Sequence, residues 1–198
     1  MELELLKAKI DDIFEDVVAL RREIHMHPEL SNEEQETMAF VSDYLTKLDI
    51  PHRTNVGGYG IVAHIGDPHA DFAIAIRADM DALPIQEKND LPYASVVPGV
   101  MHACGHDCHA AMLYGVVKRL QMERDFEGTL LALFQPGEEL NPGGAVKVLE
   151  ERPFDDYDVA AVIGEHVDAT LEVGEVGICP GQFMASNDEI RLYISGRG

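Results

Sequence analysis

Basic residues are scarce. The 198-residue chain carries 36 aspartates and glutamates against 15 lysines and arginines, a formal charge of -21. Such a surface repels nucleic acid and anionic membrane, so neither is expected as a partner. Long apolar runs are missing as well. Nothing approaches the roughly 18 consecutive apolar residues of a membrane span, and the opening "MELELLKAKIDD" alternates charge with leucine, unlike a secretory leader. Cysteine is limited to Cys104, Cys108 and Cys179. An odd count without an export signal fits a reducing cytoplasm and favours thiols or metal ligands over disulfides. There is neither an internal repeat nor a low-complexity tract. What is present is enough hydrophobic residue, 46%, to build the core of one domain or one and a fraction.

The apolar spacing sets the elements. Leu3, Leu6, Ile10, Ile13, Val17, Leu20 and Ile24 recur with helical period, predicting a helix over 3–24 stopped by Pro28. "SNEE" predicts a capping box, with Ser31 as N-cap and Glu34 three residues on. It opens a second helix striped by Met38, Val41, Leu45 and Leu48 and closed by Pro51. Short apolar runs at 60–66, 72–79, 128–135 and 158–166 read as strands, several buried on both faces. Helices are expected at 106–121 and about 143–150 between them. Strands alternating with helices predict an α/β fold: a mostly parallel central sheet with helices on both faces. "GEVGICPG" (174–181) and "NDEIRLYISGRG" (187–198) read as later strands, the last stopping abruptly, as in a truncated chain.

Polar residues fall at the ends of these strands. One run ends in Asp79 and Asp81, another in Glu138 and Glu139, a third in His166. In open α/β sheets ligands bind outside the carboxyl ends of the strands. Beside them sits "HACGHDCH" (102–109), which could serve as a cysteine nucleophile with a histidine base, a structural zinc clip, or one wall of a catalytic metal site. Cysteine, imidazole and carboxylate together suit zinc or another borderline first-row ion. His106 and His109 share a helical face with Leu113, Val116, Val117 and Leu120. Of the adjacent Glu138 and Glu139, one can bind a cation while the other accepts a proton from water.

Each residue also has a plainer structural reading. Cys104 could be a core thiol, and His106 a capping histidine. The two glutamates could be a solvated loop, and His166 a satisfied histidine. His109 could simply pack. His25 and His27 lie at a helix C-terminus, whose dipole stabilises imidazolium. Asp79 and Asp81 could cap a helix or turn, and Cys108 and Cys179 read as spectators. Only joint occurrence at strand ends favours the site.

Several long motifs then appear in order: "RREIHMHPELSNEE", "RADMDALPI", "MHACGHDCHAAMLYG", "LLALFQPGEE", "GEHV" and "SGRG". With them the chain resembles the aminoacylase and carboxypeptidase family of dinuclear metallohydrolases, above all the branch of hippurate hydrolase, plant auxin-conjugate hydrolases and bacterial N-acyl-amino-acid amidohydrolases. The resemblance implies a hydrolase-like zinc-exopeptidase architecture holding two divalent ions: zinc, manganese, cobalt or nickel. It implies Cys104, His106, Glu139 and His166 as ligands, Glu138 as general base, and Asp79 supporting the site from behind. The implied reaction is hydrolysis of the amide of an N-acyl amino acid or short peptide; the alternatives are a cysteine hydrolase using Cys104 and a non-catalytic metal-binding fragment. Residues 1–186 would be the first part of the catalytic domain and 187–198 the first strand of a lid. That lid would continue beyond Gly198, supply further site residues and mediate dimerisation. The sequence departs from the family at Glu165, where an apolar residue is expected before His166.

Overall fold

The computed structural model describes residues 3–185, 190 and 192–197. Two compact units divide the chain at Val167 and Asp168. In the first, helix α1 (Leu3–Met26) leads into α2 (Gln35–Lys47), followed by strands β1 (His52–Val56), β2 (Gly60–Gly66) and β3 (Ala73–Asp79). Helix α3 (His106–Glu123), β4 (Thr129–Gln135), α4 (Gly144–Glu150) and β5 (Val159–Gly164) complete it. The five strands form one sheet in the order β1-β2-β4-β3-β5.

Its functional half is parallel: β3 lies between β4 and β5, and both neighbours run with it. The other two pairings, β1 with β2 and β2 with β4, are antiparallel. The period-2 alternation sorts the side chains. Ile61, Ala63 and Ile65 of β2, Leu130, Ala132 and Phe134 of β4, and Ala78 of β3 face α1, α2 and α3 in the main core. On the opposite face Leu133 packs with Val56 and with Val148 of α4, and Leu131 with Ala73 and Ala75. Helices therefore cover both faces. Each fully buried large side chain, such as Leu20, Leu45 or Phe134, contributes about 1.5–3 kcal/mol of transfer free energy.

Several expectations are corrected. Ser31 and Glu34 do not form a capping box. Ser31 Oγ donates to Asp81 Oδ2 at 2.6 Å, and Glu34 is buried with Oε1 accepting from Gly137 N at 2.6 Å. The Glu29 carboxylate instead takes the free amides of Glu36 and Thr37 at 3.1 and 2.7 Å. Capping needs an acceptor near the first turn, and a side chain from before the motif reaches it. Ile10 and Val116 lie on the solvent sides of their helices rather than in the buried stripes. Strand β1, polar at every position but Val56, has no counterpart among the expected strands. Of the strands expected to be buried on both faces, β4 is buried throughout, whereas β5 is largely exposed.

The second unit, from Asp168, holds local turns, including Leu171 N to Asp168 O and Glu175 N to Glu172 O. No strand forms over 174–181, because these residues find no ladder partner among the described residues. The strand expected over 187–198 falls partly outside the described residues. Ile190 and 192–197 carry no strand.

Candidate metal centre

Because β4, β3 and β5 run parallel, their carboxyl ends share one edge, and the polar residues beyond them meet there. Asp79 is the last residue of β3. The turn after β4 presents Glu138 and Glu139, and Glu165 and His166 follow β5. The fourth contribution comes from the start of α3. Gly105 precedes the helix at φ 90°, a left-handed conformation suited to glycine. That bend turns Cys104 toward the edge and sets His106 as the first helical residue.

The predicted ligands converge. Ligand atoms of Cys104, His106 and His166 all lie within 4.8 Å of one another, as do those of His106, Glu138 and Glu139. His106 is common to both groups. Cys104 Sγ is 3.3 Å from His166 Nε2, and His106 Nε2 is 3.7 Å from Glu139 Oε1. Those last two atoms are buried and have no hydrogen-bond partner. A buried imidazole nitrogen and a carboxylate oxygen left unpaired side by side are costly unless something electropositive joins them. With the thiol and second imidazole alongside, the donor set fits a borderline divalent ion.

Behind these atoms lies a buried layer. His106 Nδ1 is 3.2 Å from Asp81 Oδ1, whose other oxygen accepts from Ser31 Oγ and, at 2.9 Å, from Glu139 N. With Nδ1–H donated to Asp81, the Nε2 lone pair faces the edge. Burial pushes the Asp81 carboxyl up, but the hydrogen bonds from His106, Glu139 N and Ser31 outweigh it and hold it at about 2. Asp79, fully buried, accepts from His109 Nδ1 at 2.6 Å and pairs with Arg77 at 2.8 Å. Burial raises its carboxyl, yet His109 and Arg77 together bring it below its ordinary value. Asp79 caps neither a helix nor a turn, whereas Asp81 takes a backbone amide of the turn after β4, that of Glu139.

A second buried network braces the opposite side of α3. Asp107 Oδ2 is 2.7 Å from both His25 Nδ1 and Arg21 Nε, and His25 Nε2 reaches Glu87 at 3.2 Å. His25 is thus held by carboxylates rather than by the end of α1, and it is raised chiefly through its hydrogen bond to Asp107. Exposed His27 does stand at the end of α1, with Nδ1 3.1 Å from the Glu23 carbonyl oxygen and 3.3 Å from the Glu23 carboxylate.

The charge around the edge is negative. Burial first, then Glu139, Glu138 and Asp79, push the Cys104 thiol up to about 12. Glu138, exposed beside Glu139, is raised by partial burial and by its neighbour's charge. Glu165 is raised by burial. Sequence reasoning missed the roles of Asp81, Ser31, Glu34 and the His25–Asp107 pair. Their local sequence carries no signal of these pairings: Ser31 and Glu34 stand in the polar stretch "SNEEQE", and Asp107 lies among histidines and cysteines.

A parallel-edge α/β domain gathering a thiol, imidazoles and paired carboxylates defines the class of metallohydrolase catalytic domains. Residues 75–195 match the model of peptidase family M20/M25/M40, and the chain belongs to that family. It is 44% identical over 204 residues to the N-acyl-L-amino acid amidohydrolase of Geobacillus stearothermophilus, covering 100% of this chain and 53% of that protein. It is 41% identical over 192 residues to IAA-amino acid hydrolase ILR1-like 5 of Arabidopsis thaliana, covering 96% and 43%. Among solved structures, the Bacillus subtilis YXEP protein, a dinuclear metal binding peptidase from the M20 family, superposes with a TM-score of 0.75. It shares 40% identity, with 85% of this chain and 46% of that one covered. The chain thus spans about half the length of the curated relatives it matches. No helix among the described residues is long and apolar enough to cross a membrane.

Proposed function

We propose that the whole protein is a metal-dependent amidohydrolase that cleaves the amide bond of N-acyl amino acids or short peptides. The observation that carries this reading is the pair of unpartnered buried atoms, His106 Nε2 and Glu139 Oε1, 3.7 Å apart beside Cys104 and His166. Cys104, His106, Glu139 and His166 hold two divalent ions, drawn from zinc, manganese, cobalt and nickel. A bound divalent ion supplies polarisation of the scissile carbonyl and lowers the pKa of water at neutral pH. Glu138 takes the proton from the attacking water at its carboxylate and returns it to the leaving amine. Its raised carboxyl suits both directions of transfer. Asp81 fixes the tautomer of His106, and Asp79 supports the site through His109.

The same reading assigns residues 1–186 to the catalytic domain and 187–198 to the start of a lid through which the whole protein dimerises. The partner is a small acylated amino acid, with neither nucleic acid nor membrane. The compartment is a reducing cytoplasm, in keeping with three free thiols.

One contact favours a second reading. Cys104 Sγ lies 3.3 Å from His166 Nε2, and His166 Nδ1 is anchored on Val167 O at 2.7 Å. This resembles a cysteine nucleophile with an oriented base. A thiol pushed up to about 12 among three carboxylates is the opposite of activated.

The test is a panel of N-acyl amino acids with the full-length protein, stripped by chelator and reloaded. Turnover should vanish on stripping and return with the metal. Glu138→Gln should bind as much metal as the wild type while kcat falls at least about 100-fold. Chelator-resistant turnover abolished by thiol alkylation would move the reaction to Cys104.

A further inference from the structure

His109 stands beside Asp79 and His106, with ligand atoms of all three within 4.8 Å of one another, so by proximity it could be counted as a metal ligand. Its hydrogen bonds argue otherwise. Val167 N–H lies 2.9 Å from His109 Nε2, and a backbone amide can only donate. Nε2 is therefore the acceptor, and the ring proton sits on Nδ1, where it is donated to Asp79 Oδ1 at 2.6 Å. Asp79 is held in turn by Arg77, itself braced on Gln135 at 2.9 Å. Both nitrogens of a fully buried ring are spent, and no lone pair remains for a cation.

Val167 follows His166 directly. A second observation concerns its side chain: a Cβ added to Gly105 would lie 2.3 Å from Val167 Cγ2. A side chain at 105 would push the Val167 methyl from its place against the start of α3, and glycine leaves that place open. The segment after β5 is thus pinned at one residue by two devices. His109 holds its amide, and Gly105 leaves room for its side chain. His166 Nδ1 adds a third tie by donating to Val167 O, which orients its Nε2 toward Cys104.

We infer that His109 is a positioning residue that, with Asp79 behind it and Gly105 beside it, clamps Val167 and so holds His166 over Cys104 and His106. The metal-related part of this inference rests on the proposed function. The clamp itself does not. Its role is to fix a ligand carried on a strand-end segment by a rigid helix residue, because a ligand on an unheld loop loses affinity through the entropy of ordering it.

The experiment uses the full-length protein labelled with 15N at histidine and valine. In the wild type a coupling across the N–H···N hydrogen bond should link Val167 N with His109 Nε2, and adding Zn2+ should leave it in place. His109→Leu should speed amide exchange at Val167 at least about tenfold and weaken Co2+ binding about 10- to 100-fold. His109→Gln, whose amide can both accept from Val167 and donate to Asp79, should recover most of both. Absence of the coupling, its loss on adding Zn2+, or unchanged Val167 exchange in His109→Leu would overturn the clamp. Equal weakening of Co2+ binding by Leu and Gln would also overturn it. Should His109→Leu fail to fold, the wild-type coupling and the Gln variant still decide. If the wild type binds none of Zn2+, Mn2+, Co2+ and Ni2+, the proposed function falls, while coupling and exchange still judge the clamp.

Discussion

Asp81 Oδ1 sits 3.2 Å from His106 Nδ1, while its other oxygen takes both the Ser31 hydroxyl and the Glu139 amide. One buried carboxylate therefore ties together the segment between α1 and α2, the first residue of α3, and the turn after β4. It sets the tautomer of one proposed ligand and the backbone of another. Asp81→Asn keeps the shape but can present its NH2 toward His106, opposing Nδ1–H donation. Zn2+ affinity of the full-length protein, measured by competition with a chromophoric chelator, should drop about 10- to 100-fold. An affinity equal to wild type would show that Asp81 does not orient His106.

Cys104 gives a second expectation. Without a cation, burial and the neighbouring carboxylates keep the thiol protonated, with its pKa at about 12. Ligation requires the thiolate. Binding of Zn2+ at pH 7.5 should therefore release a proton from Cys104. Calorimetric titrations in buffers of different ionisation enthalpy count that proton, and Cys104→Ser should release about one fewer. Equal release from both proteins would place the thiol outside the coordination sphere.

Much of this site was legible in the sequence because it sits at strand ends. Short apolar runs located β2, β3, β4 and β5, and the residues just past three of them were the ones that converged. What stayed hidden is pairwise and long-range. His25 meets Asp107 across 82 residues, and Glu34 meets Gly137 across 103. No periodicity encodes such partners. Strand β1 escaped notice because "HRTNV" is a short edge strand whose exposed positions are polar. The capping motif misled for a related reason. Ser31 and Glu34 have the right spacing for a local bond, yet buried carboxylate and amide partners elsewhere claim both side chains, and tertiary pairing wins over a local rule.

The real cap of α2 can be tested on stability. Glu29 accepts from Glu36 N, Thr37 N and Thr37 Oγ1, the last two at 2.7 and 2.8 Å. Glu29→Ala should lose about 1 kcal/mol, within the roughly 0.5–2 kcal/mol range of N-cap removal, read as a lower urea midpoint with unchanged slope. Ser31→Ala should instead act through Asp81, lowering Zn2+ affinity as well as stability. If Ser31→Ala lowered stability alone and Glu29→Ala did nothing, the sequence-based cap would be restored.

The His25–Asp107 pair predicts how stability depends on pH. His25 is 4% exposed, and its imidazole is raised above 6.5, first by the hydrogen bond to Asp107, against burial, and then by Glu87. A histidine raised on folding binds its proton more tightly in the folded state. Its contribution is therefore complete below about pH 6.5, the unfolded value, and fades as pH climbs through the higher folded value. His25→Phe leaves Asp107 and Glu87 short of a buried partner, which at pH 6 should cost about 3–5 kcal/mol. Urea midpoints of wild type and variant, taken from pH 6 to pH 9, should draw together as pH rises, because only the wild type loses a charged interaction there. Parallel curves across that range would mean that His25 carries the same charge folded and unfolded, and that Asp107 is held by Arg21 alone.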